Sequence, residues 1–254
     1  MDKKELQNPA LYTNRELSWL LFNKRVLSEA RDKQLLLFER LKFLSITASN
    51  LDEFFMVRIG SLVDMIHAEY TKKDIAGMSA KEQLDALMEE THKFAALQYS
   101  TYNRMLLPQL RANGLNFVEH HEQLTERQAQ YVDEYFEENV YPVLTPMAVD
   151  SSRPFPLIRN KTLNIGALVA KKGEKDTEIE FATVQVPSVL PRVVRIPAAK
   201  EGDTEVAVLL LEEIIERNIS KLFLNYNVLC AHPFRITRNA DLAIDEDEAE
   251  DLLL

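Results

Sequence analysis

The chain has 254 residues, 46% hydrophobic and 28% charged, the proportions of a soluble globular protein whose core serves one large or two ordinary domains. No run of about 18 apolar residues occurs, so no membrane span is expected, and the polar start MDKKELQNPALYTNRE lacks the apolar region of a secretory signal. A net charge of −10 argues against broad nucleic-acid binding, which works through basic surface displacing counterions, yet leaves room for a local basic groove around a phosphate-bearing ligand.

Much of the acidity is concentrated between residues 241 and 251. The one cysteine, Cys230, excludes an internal disulfide, and the lack of Cys/His pairs at ligand spacing argues against structural zinc. A reducing cytoplasm is the expected compartment, with peripheral attachment to a membrane left open.

Thr13-Asn14-Arg15-Glu16 has the form of a capping box and predicts a helix with Leu17, Leu20, Leu21 and Leu27 on one stripe. Trp19, Phe22 and Val26 form a neighbouring stripe, so this helix is expected to be buried over more than one face, with Trp19 in the core rather than serving as a stacking platform. A second helix is predicted over residues 35–46. Thr47-Ala48-Ser49-Asn50 then reads as a break, and a third helix starts at Asn50 and fades near Tyr70. Asn50 and Glu53 have capping-box spacing, and Asp52 and Glu53 suit the positive end of a helix dipole. After a loop over residues 71–78, Ser79-Ala80-Lys81-Glu82 caps a long fourth helix, which Pro108 is expected to kink or end and Gly114 to terminate.

Beyond Gly114 the character changes. Residues 115–118 are a strand candidate, and Thr125-Glu126-Arg127-Gln128 caps a helix whose apolar face is Tyr131, Val132, Tyr135 and Phe136. Strands are predicted over residues 163–169, 179–186, 193–196, 228–231 and 234–237, with an extended start at 205–211 and a helix over 211–222. The predicted fold is multidomain: an all-α domain over residues 1–111, followed by an α+β domain over 112–254 that is incomplete at its C-terminus.

Motifs of known chemistry are mostly missing. There is no GxxxxGK[ST], GxGxxG, HExxH or GxSxG. His67 and His92 sit on predicted helices and read as surface or boundary residues rather than ligands. His120-His121 lies in a polar loop, where neighbours in sequence rarely ligate one metal, and His232 lies between strands with no evident partner. Arg153, Arg159 and Lys161 flank a proline-rich loop, and Arg235 and Arg238 flank a strand end; such cations suit phosphates, but salt bridges are the simpler reading. No metal ligand and no catalytic residue is assigned.

Three blocks, in order, resemble the amino-terminal half of the long bacterial polyphosphate kinases. The first is residues 14–27 (NRELSWLLFNKRVL), and the second joins 40–44 (RLKFL) to 49–58 (SNLDEFFMVR). The third is scattered: residues 144–150 (LTPMAVD), 153–156 (RPFP), Val186-Pro187, Leu190-Pro191-Arg192 and 234–241 (FRITRNAD). The resemblance covers nearly the whole chain, from about Tyr12 to Asp251. It implies reversible transfer of the terminal phosphoryl group of ATP to polyphosphate, through a phosphohistidine and with Mg²⁺. It also implies a helical N-terminal domain, a head domain used for homo-oligomerisation, and two C-terminal domains similar to phospholipase D. In that family the asparagine of the SNLDEF-type block contacts the nucleotide, which implies Asn50 as an ATP contact, with Asp52 and Glu53 chiefly structural. The family's phosphorylated histidine and Mg²⁺-binding residues belong to the C-terminal domains, and none of the five histidines here matches them. The expectation is therefore a kinase fragment ending at Leu254, inactive alone and supplying part of the ATP site and the dimer interface. The alternative is a stand-alone nucleotide- or polyphosphate-binding or dimerisation module without catalysis.

Overall fold

The computed structural model describes residues 5–149, 158–173 and 179–240, and these form two compact units. The first contains the described residues up to Pro108 and those from Thr237 onward, and the second is Gln109–Ile236. The sequence pattern assigns everything from residue 112 onward to the second unit. A late return to the first leaves no trace in a linear pattern.

In the helical unit, α1 (Arg15–Arg31) packs along α2 (Leu37–Phe54) and α4 (Ala80–Thr101). The cap of α1 is Asn14 rather than Thr13: its Oδ1 accepts from the amides of Glu16 and Leu17, and its Nδ2 donates to Asp74 and Gln83 at 2.7 and 2.8 Å. Full burial on α1 follows one stripe through Leu20, Asn23, Leu27 and Ala30; on the expected second stripe Trp19 and Val26 are half-buried and Phe22 is exposed, and Leu21 of the first stripe is exposed as well. The capping box at Ser79 forms as predicted.

The largest correction falls on Asn50. No break occurs at residues 47–50; α2 continues through them, so Asn50 is neither a cap nor at a dipole terminus. Residues such as Thr and Asn leave helices when their side chains need local backbone partners. Here those needs are met without leaving the helix: Thr47 Oγ1 donates to the Leu44 carbonyl of its own helix and accepts from Gln98 at 2.9 Å, and Asn50 donates to Asn23 at 3.1 Å. The irregularity comes later, as a π-helical turn over Phe55–Ile59 before α3 (Gly60–His67). A π turn shifts the hydrogen-bond ladder by one residue. The carbonyl of Met56 accepts instead from the amide of Ala240, and Asn239 donates to Asp64 at 3.0 Å. Gly60 makes this approach possible, since a Cβ there would lie 2.6 Å from Asn239 Oδ1. A second π turn, Tyr102–Leu106, precedes α5 (Leu107–Ala112), so Pro108 sits in the first turn of α5, where its missing N–H is tolerated.

The α+β unit holds two sheets. Strands β1 (Leu115–Phe117), β5 (Val193–Ile196) and β6 (Val206–Leu210) form one in the order β1-β6-β5. Strands β2 (Pro146–Val149), β3 (Asn164–Lys171), β4 (Ile179–Gln185) and β7 (Tyr226–Phe234) form an antiparallel sheet in the order β2-β4-β3-β7. Alternation along β3 buries Ile165, Ala167 and Val169 and exposes Leu168. The two strands predicted over 228–237 are one, β7, with a bulge opposite Leu168 and Val169; Pro233 fits because β7 is an edge strand. Helix α6 (Glu126–Tyr135) starts at the predicted Thr125–Gln128 box, and α7 (Leu211–Arg217) is shorter than expected, ending in a 3₁₀ turn over Ile219–Lys221. Val132 and Phe136 pack with Ile214, Ile215 and Leu209 in one core. Arg153, residues 154–157 and the acidic stretch from Asp241 lie outside the described residues.

Arg217 on α7 grips Asp133 on α6 through two bonds of 2.8 and 2.9 Å. That guanidinium holds the Asp133 carboxyl below its ordinary range. A lowered carboxyl pKa stabilises the fold above the unfolded pKa near 4 and loses that contribution as pH falls through the folded value. Asp133→Asn is thus expected to lower the melting temperature at pH 7, with a smaller penalty at pH 3, below the unfolded pKa. Thermal unfolding of both proteins at the two pH values checks this, and an equal penalty at both would refute the ion-pair account.

Candidate functional site

Helices α1 and α2 carry one cleft between them. Positions 50, 53, 54, 57 and 58 recur at helical spacing, which places Asn50, Glu53, Phe54, Val57 and Arg58 along one face. Trp19 and Phe22, three residues apart on α1, face them, and together these seven residues line a cavity of about 190 Å³. Trp19 stacks on Phe54 with ring centroids 4.4 Å apart and planes inclined by 13°. Trp19 thus packs as expected on one face, yet borders the cleft as well.

Asn50 is held from beneath. Its Nδ2 donates to Asn23 Oδ1 at 3.1 Å, and Asn23, with no exposed surface, donates in turn to the Thr47 carbonyl at 3.1 Å. Thr47 Oγ1 donates to the Leu44 carbonyl and accepts from Gln98 on α4. This chain of bonds orients the half-buried Asn50 carboxamide at the cleft. A carboxamide offers both a donor and an acceptor, the pair needed to read the edge of a heterocycle. Arg58, 44% exposed at its side chain, adds a cation at the rim, 3.9 Å from Glu16 Oε2. The cleft therefore combines an aromatic wall, a positioned amide, a carboxylate at Glu53 and a positive charge at Arg58.

Sequence reading singled out Asn50 here and missed Phe22 and Arg58. The spacing of Arg58, eight residues after Asn50, was the available signal. Of the flagged cations, Arg159 and Lys161 meet Arg192 around a cleft of about 580 Å³ in the α+β unit; Arg235 does not line it, and Arg238 belongs to the helical unit. Arg192 forks onto the buried Glu212, with its Nη2 2.5 Å from Oε1. His67 and His92 are exposed on α3 and α4 as expected, whereas His232 joins the loop pair His120-His121, distant from it in sequence, beside α7.

Fold and chain order define a class: a helical unit joined in one chain to an α+β unit. The comparisons agree with this organisation. Residues 12–118 match the family model of the polyphosphate kinase N-terminal domain, and residues 127–254 match that of the polyphosphate kinase middle domain. Among curated relatives, the polyphosphate kinase of Lactiplantibacillus plantarum is 48% identical over 242 residues, 95% of this chain and 33% of the relative. That of Halalkalibacterium halodurans is 47% identical over 250 residues, 98% of this chain and 35% of the relative. The crystal structure of polyphosphate kinase from Porphyromonas gingivalis matches with a TM-score of 0.79 at 31% identity, covering 92% of this chain and 34% of that one. The chain belongs to the polyphosphate kinase family, and it spans about a third of the length of these relatives. No helix among the described residues is long and apolar enough to cross a membrane.

The bonding of the two asparagines separates their roles. Asn23→Ala removes two buried hydrogen bonds and leaves a small void, at a cost of about 2–3 kcal/mol. Asn50→Ala loses one bond, offset in part by the better helix propensity of alanine, and should cost under about 1 kcal/mol. Urea unfolding of both variants checks the order; a larger loss at Asn50 would mean that residue 50 terminates a helix after all.

Proposed function

We propose that this chain supplies part of the ATP site of a polyphosphate kinase, the enzyme that reversibly moves the terminal phosphoryl group of ATP to polyphosphate through a phosphohistidine. The observation that carries this reading is the Asn50 carboxamide, anchored by the buried Asn23 at the mouth of an aromatic cleft. Asn50 reads the edge of the adenine with its free hydrogen-bonding groups, Trp19 and Phe22 give the base an apolar face, and Arg58 attracts the phosphates.

Positioning and charge neutralisation dominate phosphoryl transfer, so a residue that orients the nucleotide acts on the reaction without touching the transferred group. Mg²⁺ belongs to this chemistry through the phosphates. The cleft itself offers a single carboxylate, Glu53, beside Arg58, which does not make a magnesium cage, and no step is assigned to the ion here. The α+β unit contributes the surface for homo-oligomerisation in this reading, and the chain alone does not turn over.

The test grafts this chain in place of the matching domains of the Lactiplantibacillus plantarum enzyme and measures ATP-dependent polyphosphate synthesis. Asn50→Ala is expected to raise KM for ATP about five- to tenfold, the value of one well-placed hydrogen bond, with the melting temperature nearly unchanged. The chain's one tryptophan, Trp19, should also be quenched by nucleotide. An unaltered KM in Asn50→Ala, with an active graft, would remove Asn50 from the ATP site; the isolated chain turning over would overturn its purely supporting role.

A further inference from the structure

Three segments of the α+β unit bring ionisable side chains to one place. The turn after β1 carries His120, His121 and Glu122; α7 carries Glu213 and Glu216, three residues apart; and the edge strand β7 carries His232. Together they line a cleft of about 510 Å³. None of these residues belongs to the Trp19–Asn50 cleft.

Glu213 is the organising group. Leu211 to Ile215 are all buried, so its carboxylate is drawn under the surface, with 12% of the side chain accessible. Its Oε2 accepts from the backbone amide of His121 at 2.9 Å and lies 3.1 Å from His121 Nδ1, which donates to it in the Nδ1–H tautomer. Oε1 points the other way, 3.7 Å from His120 Nδ1. That gap is too long for a hydrogen bond, but it is close to the distance of about 3.3–3.6 Å between two ligands of a tetrahedral ion with bonds of ~2.0–2.2 Å. A donor atom each from His120, Glu122 and Glu213 lies within 4.8 Å of the other two. His120 and Glu122 have exposed side chains, so a rotation of about an ångström brings all three onto one ion at little cost.

We propose that His120, Glu122 and Glu213 form a site for a divalent transition-metal ion of the zinc class, open to a water or an outside ligand at its fourth position. The donor set decides the class: an imidazole nitrogen with two carboxylates suits zinc, cobalt or manganese, while magnesium and calcium favour oxygen alone. His121 acts from the second layer, fixing the Glu213 carboxylate through its free face as outer partners of metal ligands do. Local charge points the same way. Glu122, Glu213 and Glu216 have only histidines as ion partners among the described residues, and burial, followed by repulsion from Glu213, raises the Glu216 carboxyl above its ordinary range. A divalent cation relieves that accumulation of negative charge.

This inference stands independently of the ATP-site reading. The 254-residue chain is titrated with Co²⁺, whose visible absorption reports four- or five-coordination, and then with Zn²⁺ as competitor. One saturable equivalent of Co²⁺ is expected, displaced by Zn²⁺ but not by a hundredfold excess of Mg²⁺. His120→Ala and Glu122→Ala, both at exposed side chains whose loss leaves the fold intact, should each weaken binding at least tenfold, and His92→Ala should leave it unchanged. The proposal fails if no saturable spectrum forms, if binding survives in the His120→Ala/Glu122→Ala double variant, or if Mg²⁺ competes on equal terms.

Discussion

The helical unit turns on one buried carboxamide. Asn23 has no exposed surface, yet its amide bonds the Thr47 carbonyl and its oxygen accepts from Asn50. Two helices with only apolar contacts can slide by a turn at modest cost. A buried polar group whose partners lie at fixed positions forbids that, since any shift leaves it unsatisfied in a medium of low dielectric. The register of α1 on α2 follows from this bond, and with it the placement of Trp19 against Phe54 and of Asn50 at the cleft.

The π turn at Phe55–Ile59 makes a second use of the backbone. It releases the Met56 carbonyl from the helical ladder, and the Ala240 amide takes that position. A segment far along the chain is thereby fixed to the helix that carries Asn50, with Gly60 leaving the space for Asn239. Irregular helical turns of this kind are frequent beside functional sites because they re-aim side chains at small cost.

In the α+β unit the same logic governs charge. Helix α7 buries Glu212 and Glu213, and each finds a partner from elsewhere: Arg192 forks onto the first, and the His121 amide and ring hold the second. Burial of carboxylates is tolerated only when donors are supplied, so the neighbouring loops are pinned to the helix as a consequence. The histidine-rich cleft is a by-product of that pinning.

Much was legible in the linear chain because its causes are local. The boxes at Ser79 and Thr125, the alternation in β3 and the change from helical to mixed patterning near Gly114 depend on residues a few positions apart, and the three blocks shared with polyphosphate kinases are properties of order alone. Other features were decided by the tertiary structure. Residues 47–50 look like a helix break until Asn23 and Gln98 are brought beside them, 24 and 51 positions away from Thr47 in sequence. His120 and His232 are strangers in sequence and neighbours in space. Local preference sets a weak bias of under a kilocalorie per residue, and a single buried hydrogen-bond partner from a distant segment is enough to reverse it.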